Sequence, residues 1–90
     1  MLDIVFTNRM KKDVKLAKKQ GKDLDKLTEL INMLSYGKNL PDKYNDHSLK
    51  GTWQGFRECH IEPDWLLIYR IDENVLYLTA MGSHSYLKIA

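Results

Sequence analysis

Ninety residues are enough to enclose one hydrophobic core and too few for two, so a single domain spanning 1–90 is expected, with any active site on its surface or against a larger partner. Hydrophobic residues make up 43% and charged residues 29%, the balance of a folded soluble protein, which excludes a disordered tail. The net charge of +2 is too small to mark a nucleic-acid binder by its total, no apolar run reaches the roughly 18 residues of a membrane helix, and MLDIVFTNRM lacks the features of a signal peptide, so a cytoplasmic protein without a membrane partner is expected.

Leu2 to Phe6 is a short apolar run suited to a first strand. Thr7 or Asn8 can cap the helix that follows, in which Met10, Val14 and Ala17 share one face and Gly21 supplies the stop. The basic charge is concentrated here: Arg9, Lys11, Lys12, Lys15, Lys18, Lys19 and Lys22 stand against only Asp3 and Asp13. Such a stripe suits a polyanion backbone and is equally compatible with a solvated helix face. Leu24, Leu27, Leu30, Ile31 and Leu34 predict a second helix over Asp23 to Tyr36, antiparallel to the first.

From Lys38 to Thr52 the pattern breaks into turn chemistry. Three strands are then expected, about Trp53 to Ile61, Trp65 to Ile71 and Val75 to Met81, joined by short turns at Glu62-Pro63-Asp64 and Asp72-Glu73-Asn74. The order strand, two helices, three-stranded antiparallel meander predicts an α+β fold in which helices cover one face of a sheet and leave the other free. Cys59, the only cysteine, is expected to be a packing residue.

Candidate chemistry lies at the strand ends. His47 falls in the irregular loop, His60 beside the turn that holds Asp64, and His84 just after the last strand. If the second and fourth strands run parallel, His60, Asp64 and His84 emerge at one edge of the sheet. Histidine gives and takes protons near neutral pH, and a carboxylate fixes its tautomer, so the set could cut RNA without a metal. Arg57, on the strand of His60, is a candidate cation for the phosphorane. Trp65 beside the turn could stack on a base or fill the core. The histidines and Asp64 are acceptable zinc ligands, but none of the usual close spacings appears, so neither a metal nor another cofactor is expected.

Three stretches, Asp46-His47-Ser48-Leu49-Lys50-Gly51-Thr52-Trp53, then Phe56-Arg57-Glu58-Cys59-His60-Ile61-Glu62-Pro63-Asp64-Trp65-Leu66-Leu67-Ile68-Tyr69, then Gly82-Ser83-His84, resemble the YafQ-type toxins of the RelE superfamily in order and spacing. The resemblance implies a RelE-like fold, a toxin of a toxin-antitoxin pair, and cleavage of mRNA in the ribosomal A site. Its implied partners are a cognate antitoxin, the ribosome and mRNA. It places His47, His60, Asp64 and His84 at the catalytic positions, with Trp65, Arg57, Lys50 and the helix lysines Lys11, Lys12, Lys15 and Lys18 available to the substrate. His84 would act as general acid, Asp64 or His60 as base, and His47 as a phosphate contact or orienting group. Two positions depart from the family pattern: Ala80 stands where an arginine is common, and Lys88 where an aromatic residue is. Either another cation, such as Arg57, Lys50 or Lys88, serves the reaction, or the chain is an impaired or non-catalytic binder of the same fold. A ParE-like, gyrase-directed branch would have no reason to keep the acid/base set.

Overall fold

The computed structural model describes residues 1–89. Strand β1 (Asp3–Phe6) leads into helix α1 (Asn8–Lys19) and helix α2 (Leu24–Ser35); then come β2 (His47–Ser48), β3 (Arg57–Glu62), β4 (Trp65–Asp72), β5 (Val75–Gly82) and a last short helix, α3 (His84–Leu87). The strands form one mixed sheet in the order β1-β5-β4-β3-β2. β1 pairs parallel with β5, and every other neighbouring pair is antiparallel. Since β3 and β5 both run against β4, they run parallel to each other.

Local chemistry sets the helix boundaries. Thr7 stays extended and its hydroxyl accepts the backbone N–H of Met10, which satisfies one of the free donors of the first turn of α1. Asp23 does the same for Asp25 at the start of α2. Gly21, at φ +75, supplies the left-handed conformation that separates the helices. α1 lies over β5 and α2 over β3. Their apolar stripes, with Met10, Ala17, Leu27, Leu30 and Leu34, close on Cys59, Trp65, Leu67, Tyr69, Leu76, Leu78 and Met81. Lys11, Lys12, Lys15 and Lys18 remain on the exposed side of α1.

Two sequence expectations need correction. Trp53 and Phe56 do not belong to a strand: Gly51–Trp53 is a 3-10 turn and β3 begins at Arg57. The second face of the sheet is also not free. Leu66, Ile68, Ala80 and Leu87 form a second buried cluster there, covered by Leu49, Trp53, Phe56 and Ile89. The loop before β3 and the chain after β5 fold back as a partial roof because the apolar residues of β4 occupy both faces, as a central strand requires.

A β-bulge determines which residues of β5 reach that second face. Ile68 pairs with Ala80 but Tyr69 pairs with Leu78, so Thr79 is the extra residue. The insertion switches the alternation of the strand. Leu76, Leu78 and Met81 all face the helices, while Ala80 joins the second cluster.

Candidate active site

The site is built from the second face of β3 and the chain on either side of it. Successive residues of a strand point to opposite faces, so Cys59 and Ile61 enter the helix-side core while Glu58 and His60 project from the second face. The cross-strand partners fix their places: Glu58 lies opposite Ile68, and His60 opposite Leu66. β2 adds His47 directly opposite Glu58. α3, starting at His84, delivers the third histidine from the end of β5.

Glu58 lies at the centre of the cluster, and the sequence reading did not single it out. Its side chain is only 3% exposed. Oε2 lies 2.8 Å from Nε2 of His47, and Oε1 lies 3.7 Å from Nε2 of His60 without a hydrogen-bond partner among the described residues. Leaving a buried carboxylate oxygen unpaired is costly to the fold. The signal was in the sequence: Glu58 is two residues before His60 on a strand, and therefore on its face.

The histidines line up around this carboxylate, with ring centroids 6.4 Å apart for His47 and His60 and 5.6 Å apart for His60 and His84. Nδ1 of His47 lies 2.7 Å from the carbonyl oxygen of Asn45. Both nitrogens of that ring thus face acceptors. His84 is held differently. Its backbone N–H donates to Oδ1 of Asp64 at 2.9 Å, and Nδ1 meets the same oxygen at 2.6 Å. This assigns the Nδ1 proton to the Asp64 contact and leaves Nε2 for chemistry. The hydrogen bonds from the His84 backbone and ring hold the Asp64 carboxyl below its ordinary value. The His84 ring is 37% exposed and His60 19%, so a substrate can reach both.

The structure thus brings His47, His60, Asp64 and His84 together, and it leaves other expected residues elsewhere. Arg57 pairs with Tyr69, a helix-side residue, and its Nε donates to Asp46 at 3.2 Å; its side chain leaves β3 on the face opposite His60. Strand alternation separates it from the cluster. Trp65 is 2% exposed and belongs to the core, so it is not a surface for base stacking. Its ring lies at the back of a cleft of about 570 Å³ that opens beside Asp64 and is lined also by Leu16, Lys22 and Tyr86. Lys50 and Lys88 are exposed, beside the 3-10 turn and after α3 respectively. Ala80 is fully buried under the second cluster, in the same cross-strand row as Ile68 and Glu58. Cys59 is buried, and burial pushes its thiol well above the ordinary value, as expected of an inert packing residue.

One set of donors also has the chemistry of a metal site. Glu58, His60 and His84 each offer a ligand atom, and these atoms lie within 4.8 Å of one another. Imidazole and carboxylate suit zinc, copper or nickel. Asp64 on the far nitrogen of His84 would then be the outer carboxylate that commonly orients a metal-bound histidine.

The family model described as bacterial toxin of type II toxin-antitoxin system, YafQ, matches residues 2–89. The chain belongs to this family. It is 43% identical over 86 residues to the mRNA interferase toxin YafQ of Escherichia coli strain K12, with 94% of each chain covered. YafQ in the crystal structure of the E. coli DinJ-YafQ complex superimposes with a TM-score of 0.88 at 41% identity, covering 97% of this chain and 98% of that one. A metal-bound toxin from Helicobacter pylori superimposes with a TM-score of 0.91 at 45% identity, covering 97% and 99%. The helix pair and mixed sheet are therefore a shared framework, as the family resemblance implied.

Proposed function

We propose that this chain is the toxin of a type II pair and cuts mRNA in the ribosomal A site by attack of a ribose 2'-hydroxyl on the adjacent phosphate. The observation that carries this reading is the convergence of His60 and His84, both partly exposed, on the buried carboxylate of Glu58, with Asp64 fixing the His84 ring. His60, reachable and 3.7 Å from the buried Glu58 carboxylate, takes the 2'-hydroxyl proton, with Glu58 behind it to balance the charge it gains. The O2'–phosphorus bond forms, the phosphorus–O5' bond breaks, and His84, acting as an imidazolium, gives its Nε2 proton to the leaving O5' and keeps Nδ1–H on Asp64. With that proton His60 offsets the charge of the phosphorane, a task that Arg57 on the other face cannot perform. His47 holds Glu58 in place. Products are a 2',3'-cyclic phosphate and a 5'-hydroxyl.

The partners follow from the relatives. Escherichia coli YafQ forms a complex with DinJ, and an antitoxin of that kind is the cognate partner of this chain. The ribosome is the second, with the lysines of α1 meeting rRNA phosphates. Cleavage by the purified chain on translating ribosomes tests the reading. The new ends should accept label from a kinase without prior phosphatase, as 5'-hydroxyls do, and His84→Gln should abolish them. Ends carrying 5'-phosphate would exclude this mechanism.

A second reading concerns regulation by a cation and rests on the Glu58, His60 and His84 donors together with the metal-bound relative. A copper or zinc ion held there would occupy the lone pairs that proton transfer needs. Added Cu(II) or Zn(II) then slows cleavage and a chelator restores it; an increase in rate would contradict this reading.

A further inference from the structure

His84 stands at the head of α3, a helix of four residues. One turn has no stability of its own, because helix nucleation costs more than a single turn returns. Something else must therefore hold the ring of His84 in register with Glu58 and His60.

Asp64 holds the ring and the backbone N–H of His84, and the turn that carries them is held from α1. Asp13 is 2% exposed, and its two oxygens are both used: Oδ2 accepts the backbone N–H of Met81 at 3.0 Å, and Oδ1 accepts the hydroxyl of Tyr86 at 2.7 Å. One carboxylate thus ties together the two residues that bracket Gly82, Ser83 and His84. The Tyr86 ring closes the bracket by lying on Gly82, where an added Cβ would collide with Cδ2 of that ring. Arg9 stands over the Tyr86 ring at 5.7 Å and near Asp13 at 3.7 Å, which balances the buried charge. The hydrogen bond to Asp13 holds the Tyr86 phenol above its ordinary value, so it stays a donor. Trp53 Nε1, donating to the Leu87 carbonyl at 3.3 Å, anchors the far end of the turn independently.

We infer that Asp13 and Tyr86 are positioning residues for His84: the carboxylate of α1 clamps β5 and α3 together and thereby sets where the His84 imidazole meets the substrate. The inference rests on the nuclease reading only for its effect on cleavage; its effect on the imidazole stands apart. An asparagine at 13 could accept from one partner but would present N–H to the other, so Asp13→Asn opens one side of the clamp. Tyr86→Phe keeps the ring on Gly82 and removes only the hydroxyl.

The test combines single-turnover and steady-state cleavage of mRNA on translating ribosomes with ¹H–¹⁵N imidazole spectra of the free chain. Tyr86→Phe and Asp13→Asn should lower kcat on the order of 10-fold to 100-fold, the scale of a small misplacement of a reacting group, with KM within about twofold. The His84 nitrogen signals should move while those of His47 stay in place. The double variant should lose less than the product of the two single losses, since both changes act on one clamp. Unmoved His84 signals in a folded Tyr86→Phe chain would overturn the inference, and so would equal displacement of His47 and His84. If the unaltered chain cuts no RNA, the nuclease reading falls and the spectra alone decide the clamp.

Discussion

Glu58 is a carboxylate 3% exposed, with one oxygen on His47 and the other unpaired among the described residues. A group kept in that state is worth more to a reaction than to the fold. Glu58→Gln keeps the shape and removes the charge behind His60, so cleavage should fall by about 10²-fold to 10⁴-fold, the usual range for a disabled acid or base. Thermal stability should hold or rise, because burying a charge no longer opposes folding. Parallel rate and melting measurements check both. Asp64 behaves oppositely, with its carboxyl held below the ordinary 3.8 by His84. A carboxyl whose folded value is depressed contributes stability above its unfolded value and loses it as the pH falls through the folded one. The melting temperature of the unaltered chain should therefore exceed that of Asp64→Asn at neutral pH, and the gap should close only below pH 3.8. A gap unchanged down to pH 2 would contradict the pairing.

Individual elements show what a sequence can and cannot disclose. The helices were legible because Met10, Val14 and Ala17, then Leu27, Leu30, Ile31 and Leu34, repeat at helical spacing between recognisable caps. The face of each β3 residue was also legible, since alternation alone puts Glu58 with His60 and sets Arg57 apart. The bulge at Thr79 was not, because no turn residue marks it and its consequence depends on the register with β4. Nor was the roof over the second face. Trp53 and Phe56 read as strand residues by their β propensity, and only the fold shows them packed on Leu66, Ile68 and Ala80. Trp65 could have been either platform or core; at 2% exposure it is core. Trp65→Ala should then cost about 3–5 kcal/mol in a denaturant titration. A loss of RNA affinity without a loss of stability would return Trp65 to the substrate side.

At the scale of the whole molecule, charge and chemistry occupy different regions: a lysine stripe along α1, and a histidine edge where β2, β3 and α3 meet. Replacing Lys11, Lys15 and Lys18 by glutamine should weaken ribosome binding and flatten its dependence on salt, with each lost phosphate contact lowering the log–log slope by about 0.7–0.9. Cleavage by the fraction already bound should be unchanged. Ala80 bears on the whole design, because it lies buried in the row that leads through Ile68 to Glu58. On the proposed mechanism the histidine edge works without an arginine there. The most direct test maps mRNA 5' ends in a translation reaction containing the unaltered chain, Ala80→Arg or His84→Gln. New ends should appear within the A-site codon for the unaltered chain and not for His84→Gln. Stalled ribosomes with intact mRNA, or ends that appear only with Ala80→Arg, would contradict it.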